Sequence, residues 1–209
     1  MKPLKLTMRA FGPYKDEEII DFTKLENHRL FVISGKTGAG KTTIFDGIAF
    51  ALYGSGSGSD RKDQKSLRSQ FADDHVHTAV ELLFEVHGKK YRVFRQLPHV
   101  KKGRKTATGE DYAFFEIGPN GEELKVVERQ KAKEINTKIE EIIGLTYDQF
   151  NQIIMLPQGE FRKLLTSQTE NKEAILRKIF KTERYGEIAK KLEDKKQVAE
   201  TQAKMAKAM

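Results

Sequence analysis

Leu4, Leu6 and Met8 alternate with Lys5, Thr7 and Arg9 at the start of the chain. A period of two predicts a strand with one buried face. Phe11-Gly12-Pro13-Tyr14 breaks that strand, and Glu18-Ile19-Ile20-Asp21-Phe22 predicts a second. From 79 to 128 the alternation returns in VELLFEV, YRVFRQL, YAFFEI and LKVVE. Turn signals separate these runs at His87-Gly88, Lys102-Gly103 and Pro119-Asn120-Gly121. Short alternating runs joined by glycine turns predict an antiparallel β-meander. Elsewhere the period changes to that of a helix. Ile44, Ile48, Ala51 and Leu52 fall at helical spacing. Residues 131–209 read as mostly helical, interrupted near Gly144-Leu145-Thr146 and Leu156-Pro157-Gln158-Gly159. Between these patterns, Gly54-Ser55-Gly56-Ser57-Gly58-Ser59 predicts a flexible, low-complexity connector. Apolar positions thin out after Leu192, so the last segment predicts an emerging coiled coil or a solvated helix. It reaches Met209 without a capping or turn signal, and the helix is expected to continue beyond that residue.

The stretch that leads into the first helix carries the chemistry. Phe31-Val32-Ile33 reads as a strand that ends near Ser34 and feeds into Gly35-Lys36-Thr37-Gly38-Ala39-Gly40-Lys41-Thr42. That is the G-x-x-x-x-G-K-T order of a phosphate-binding loop. Glycines let successive backbone N–H groups turn inward around phosphate oxygens. A lysine at position 41 reaches the β- and γ-phosphates, and the Thr42 hydroxyl is placed to ligate Mg²⁺. The helix that follows adds the positive end of its dipole. Binding of ATP or GTP is the expected function of this stretch. Asp46, one helical turn after Thr42, is either a helix-face charge or a support for the loop.

Composition narrows the field. With 209 residues the chain is long enough for a proper core. No apolar run approaches the length of a membrane span, and the first residues hold no sustained hydrophobic segment. The absence of cysteine excludes disulfides and cysteine–zinc sites and fits a reducing, cytoplasmic setting. A formal charge of +8 and a pI near 9.4 favour a polyanionic partner. The hairpin-tip cluster Lys101, Lys102, Arg104 and Lys105 is a solvated turn or a phosphate-backbone contact. Lys172, Arg177, Lys178 and Lys181 flank an apolar face of Ile175, Ile179 and Phe180 and read as a solvated rim. His75, His77, His87 and His99 lack cysteine or carboxylate partners at ligand spacing, so no metal site of their own is expected.

A complete phosphate-loop ATPase also needs an acid at the end of an apolar strand. Leu82-Leu83-Phe84-Glu85 is the nearest candidate and matches poorly, because it belongs to the short alternating strands. There is no L-S-G-G-type signature either.

The order of these motifs resembles the N-terminal ATPase lobe of the SbcC branch of the SMC-like DNA-repair ATPases. The matching pieces are the opening LKLTMRAFGPYKDEEIIDF, the phosphate loop running into TTIFDGIAFALYG, and the LRSQFAD segment. FNQIIMLPQGEFRKLL and EAILRKIFKTERYGEIAKKLE complete the match. QIIMLPQGEFRKLL is the most specific of them. The resemblance implies an α/β fold: an ABC-type ATPase lobe with a mixed sheet, an antiparallel β-subdomain and a projecting C-terminal helix. It implies residues 1–168 as the lobe, with a meander over about 79–128 and a glutamine loop over about 150–165. Residues 169–209 are then the helical extension and the start of a coiled coil.

In the family the two halves of one ATPase head lie at opposite ends of the chain. That arrangement accounts for the missing acid and signature motif. Carried over by motif, Gly35, Lys36, Thr37, Gly38, Ala39, Gly40, Lys41 and Thr42 bind phosphate, and Thr43 bonds the α-phosphate. Lys41 and Gln158 are the implied catalytic residues, and Thr42 and Gln158 the implied Mg²⁺ ligands. Gln158 also senses the γ-phosphate. Where archaeal and eukaryotic relatives usually have Asn, this chain has Thr37, and it lacks their basic residue near Gly12-Pro13, for which Lys15 or Arg9 would substitute. The implied cofactors are ATP and Mg²⁺. The implied partners are an SbcD-like nuclease subunit, the C-terminal lobe, double-stranded DNA and a second copy held by ATP, with no membrane.

The leading reading is the ATP-binding subunit of a DNA-end-processing nuclease complex. Other readings are a different SMC-like or RecF-like ATPase, a phosphate-loop kinase, or an ATP-dependent DNA clamp without meaningful turnover. The Gly/Ser tract and meander stand where a kinase would carry its lid and substrate acid.

Overall fold

A computed structural model describes residues 1–25, 28, 30–57, 64–154 and 183–207. The chain forms two compact units, residues 1–157 and 158–209.

The first unit is built on a six-stranded sheet in the order β2-β1-β3-β4-β5-β6. The strands are β1 (Lys2–Phe11), β2 (Tyr14–Asp21), β3 (Ala79–Val86), β4 (Lys89–Gln96), β5 (Asp111–Ile117) and β6 (Glu123–Lys125). Register follows from alternation, since every second side chain shares a face. One row runs Ile20, Leu6, Leu82, Val93, Phe114, and a parallel one Met8, Val80, Arg95, Tyr112. Phe84 stacks on Tyr91 and Phe114 with centroids 5.6 and 6.5 Å apart.

The other face stays wet and carries a charge ladder. Arg92 pairs with Glu81 and Glu123, each at 2.7 Å, and lies 5.3 Å from the Phe115 ring centre.

Helix α1 (Lys41–Tyr53) packs on the buried face. Gly47 permits the close approach: a methyl there would stand 2.7 Å from Met8 Sδ and 3.4 Å from Leu6 Cδ2. Helix α2 (Ala132–Ile143) buries Ile135 and Ile139, one turn apart, and ends at left-handed Gly144 (φ 75°). Thr146 then starts α3 (Tyr147–Ile153) with a capping box: its side chain accepts from the Gln149 N–H, and Gln149 reaches back to the Thr146 N–H. The expected interruption near Gly144 is therefore a helix stop followed by a fresh start. In the second unit, helix α4 (Glu183–Lys207) exposes Ile188, Leu192, Val198 and Met205.

The α/β class and the meander stand as expected. Four expectations change. Among the described residues every strand pairing is antiparallel, and the meander continues the β1–β2 hairpin in one sheet instead of forming a subdomain beside it. The strand expected over 31–34 has no ladder: Leu30 and Val32 are 92% and 90% exposed. A β-branched run supplies the propensity, but a strand needs a neighbour to pair with.

The Gly/Ser tract is not a loose connector over its described part. Ser57 is buried and gives both its N–H (2.9 Å) and its hydroxyl to the Asp46 carboxylate, and Tyr147 donates to Gly56 O. The tract is thereby tied to α1 through Asp46 and to α3 through Tyr147. Asp46 is accordingly a buried anchor for that tract.

Candidate nucleotide-binding site

Ser34 to Gly40 form an exposed loop that turns into α1 at Lys41. Gly38 (φ 84°) and Gly40 (φ 85°) take left-handed conformations, which is why this loop needs glycine. Gly40 occupies the N-cap position and supplies no side-chain bond, so the first N–H groups of α1 lack a side-chain acceptor. An anion is the natural partner for such a helix end.

Lys41 folds over the loop, donating from Nζ to Gly35 O at 2.8 Å and Lys36 O at 2.9 Å. An ammonium has three N–H groups, which leaves one for a phosphate oxygen. Ala39 N–H closes the turn on Lys36 O at 3.2 Å. Thr42 is exposed in the first turn, with its hydroxyl available to a metal, whereas Thr43 is half-buried. A methyl on Gly12 would stand 2.6 Å from Thr43 Cγ2, so the β1–β2 turn abuts the first turn of the helix. The loop's N–H donors therefore fit the phosphates of a nucleoside triphosphate, and the Thr42 hydroxyl oxygen is the group beside them that could ligate Mg²⁺.

The far end of α1 is held as firmly. Gly54 (φ 75°) closes the helix on Phe50 O at 2.7 Å. Arg95, 1% exposed, points into the core from β4. It donates to Ala51 O (2.7 Å), Leu52 O (2.8 Å) and Asn136 Oδ1 (2.6 Å). Burial lowers its pKa to about 10, so it remains a cation at neutral pH. A cation at the C-terminal carbonyls complements the dipole whose positive end faces the loop. Tyr53 adds a bond to Leu145 O at 3.0 Å and packs on Phe150 at 5.2 Å, tying α1 to the turn between α2 and α3.

The sequence matches the AAA domain family over residues 5–208. The chain belongs to the AAA domain family. It is 42% identical to the SbcC subunit of nuclease SbcCD from Staphylococcus epidermidis over 188 residues, which is 90% of this chain and 18% of that protein. Against the corresponding SbcCD protein of Staphylococcus aureus it is 40% identical over 194 residues, 93% of this chain and 19% of the relative. The chain thus spans about a fifth of the length of these curated relatives. The SMC head domain of Thermotoga maritima aligns at TM-score 0.41 and 22% identity, covering 66% of this chain and 42% of that one.

In this AAA-domain chain Gly35–Gly40 form one loop that runs into Lys41, Thr42 and Thr43 in the first turn of α1, while Gln158, Lys172, Arg177, Lys178 and Lys181 lie outside the described residues. Glu85 pairs with Lys2 at the opposite end of β1 from the Gly12 turn. That separation is roughly 30 Å at 3.3 Å per residue, so Glu85 cannot serve the loop. Arg9 donates to Gln96 Oε1 at 3.2 Å, across the sheet from the loop.

The basic cluster sits on the connection from β4 to β5, where Asp74 accepts from the Lys102 N–H at 2.7 Å. Asp74 also meets His99 Nε2 at 2.9 Å, a carboxylate partner that local spacing did not reveal. Among the described residues no three His, Cys, Asp or Glu side chains gather as a metal site, and no helix is long and apolar enough to cross a membrane. Sequence reading also missed Arg95, although its place in the Tyr91-Val93-Arg95-Leu97 alternation aims it inward.

Proposed function

We propose that this chain is the N-terminal ATPase lobe of an SbcC-type DNA-repair protein, residues 1–168 forming the lobe and 169–209 the helical extension. The observation that carries the reading is an uncapped helix N-terminus inside a glycine loop, with Lys41 poised over it. The relatives' names add the nuclease complex. In this reading Gly35–Thr43 hold the triphosphate, Thr42 and Gln158 hold Mg²⁺, and Gln158 senses the γ-phosphate. Mg²⁺ when bound neutralises charge on the β- and γ-phosphates.

The lobe is half of an active site. Leu30 and Val32 stand almost fully exposed just before the loop, as an apolar segment lacking strand neighbours. A C-terminal lobe of the same protein would supply those neighbours, along with the missing strand-end acid and signature motif. ATP would then close two such heads, and hydrolysis would open them, gating double-stranded DNA to an SbcD-like nuclease subunit in the cytoplasm. A ligand drives such a switch only by binding one state better than the other.

The test is ATP hydrolysis by the chain with and without a C-terminal lobe and duplex DNA. The isolated chain should bind ATP weakly and turn it over negligibly. The two-lobe protein should hydrolyse it, and Lys41→Ala should abolish that activity. Robust hydrolysis by the chain alone, lost in Lys41→Ala, would show a complete active site here and sink the split-head reading.

A further inference from the structure

The turn between β1 and β2 reaches the phosphate loop through one side chain. Tyr14 Oη lies 3.2 Å from Gly40 O and 3.4 Å from Ala39 O, so its single hydrogen is shared between two carbonyls of the loop. A methyl built on Gly40 would stand 2.7 Å from Tyr14 Cζ and 2.9 Å from Pro13 Cγ, and would meet Oη as well. The tyrosine and proline together fill the space where any other residue at position 40 would carry its β-carbon. Burial and the nearby Glu18 charge raise the Tyr14 pKa, which keeps the hydroxyl a donor at physiological pH.

The geometry has a consequence for the opposite side of the loop. In a planar trans peptide the C=O and N–H point in opposite directions. Holding Ala39 O toward Tyr14 turns the Gly40 N–H away from it, and holding Gly40 O does the same for the Lys41 N–H. Those two N–H groups belong to the phosphate cradle. From this we infer that Tyr14 is a positioning residue for the phosphate loop. It acts on the bound phosphates through the orientation of the 39–40 and 40–41 peptides, without touching the nucleotide's base. The inference rests on the nucleotide-binding reading above.

The test compares equilibrium binding of ATP and of inorganic tripolyphosphate, both with Mg²⁺, by the wild-type chain, Tyr14→Phe, Tyr14→Ala and Lys41→Ala. Assays run below the melting transition of every variant. Tyr14→Ala should weaken both ligands by the same factor, about tenfold. Tyr14→Phe keeps the ring and should lose only a few-fold on each. In Tyr14→Phe the Gly40 and Lys41 amide resonances should also move, while those of the meander stay in place.

Loss on ATP with tripolyphosphate binding intact would make Tyr14 a platform for the base and overturn the inference. Unchanged binding of both ligands would overturn it too, and leave the nucleotide reading standing if Lys41→Ala still fails to bind. A wild-type chain that binds neither ligand would bring both down. If Tyr14→Ala does not fold, Tyr14→Leu fills the turn without a planar face or hydroxyl and is read on the same scale.

Discussion

Replacing Arg95 tests whether the back of α1 is held by a buried cation. Three acceptors depend on its guanidinium at 2.6 to 2.8 Å, and two of them are carbonyls in the last turn of α1. Truncation to Ala removes the charged bonds and leaves two buried carbonyls unpaired, at about 1–3 kcal/mol each. It also opens a cavity under the sheet. Against this stands the cost of keeping a cation dry: a pKa lowered to about 10 by burial corresponds to a penalty on the order of 3 kcal/mol, which the mutant no longer bears. The balance predicts a loss of about 3–5 kcal/mol for Arg95→Ala. For Arg95→Met the loss should be about 2 kcal/mol, because Met fills the volume and discards the charge but still abandons the carbonyls.

Urea unfolding measures this directly. The chain has no tryptophan and six tyrosines, five of them before residue 157. Tyrosine fluorescence therefore reports chiefly on the sheet unit. An Arg95→Met variant within about 0.5 kcal/mol of wild type at unchanged m-value would refute the reasoning. The Arg95 bonds would then be no better than apolar packing, and the helix end would not need them.

Other consequences are simpler to state. Gly47→Ala puts a methyl 2.7 Å from Met8 Sδ; it should cost about 1–3 kcal/mol in the same urea assay, and a stabilised variant would show that α1 stands further from β1. His77 has a lowered pKa, through burial first and then the charges of Lys101 and His99. The unfolded chain therefore takes up that proton first, and the thermal midpoint should fall as pH drops below about 6.5, less steeply in His77→Gln; parallel curves would refute it. Asp74, lowered by its bonds from His99 and Lys102, adds a contribution lost only in stronger acid. In the two-lobe protein Gln158→Ala should leave nucleotide affinity nearly intact while cutting hydrolysis and ATP-dependent dimerisation, read by light scattering with ATP and ADP. Normal turnover and dimerisation would make Gln158 an ordinary loop residue.

Local rules carried much of this molecule. Alternation placed the inward rows of the meander, since a strand's faces are set by its own period. Glycine spacing with a following helical pattern placed the phosphate loop, whose left-handed turns at Gly38 and Gly40 are a property of those residues themselves. Gly144-Leu145-Thr146 marked a break between helices, and the Thr146–Gln149 capping box that restarts the chain there emerged only in the structure. Distant meetings were a different matter. Nothing local says that Arg95 will reach Ala51, that Tyr14 will sit against Gly40, or that Ser57 will be drawn into the core by Asp46. Each pairing depends on which faces the sheet and α1 turn toward one another, and that is decided by packing of the whole unit. The same cause explains the apolar run at 30–33: its composition favours a strand, but a ladder exists only where another strand lies alongside, and among the described residues none does.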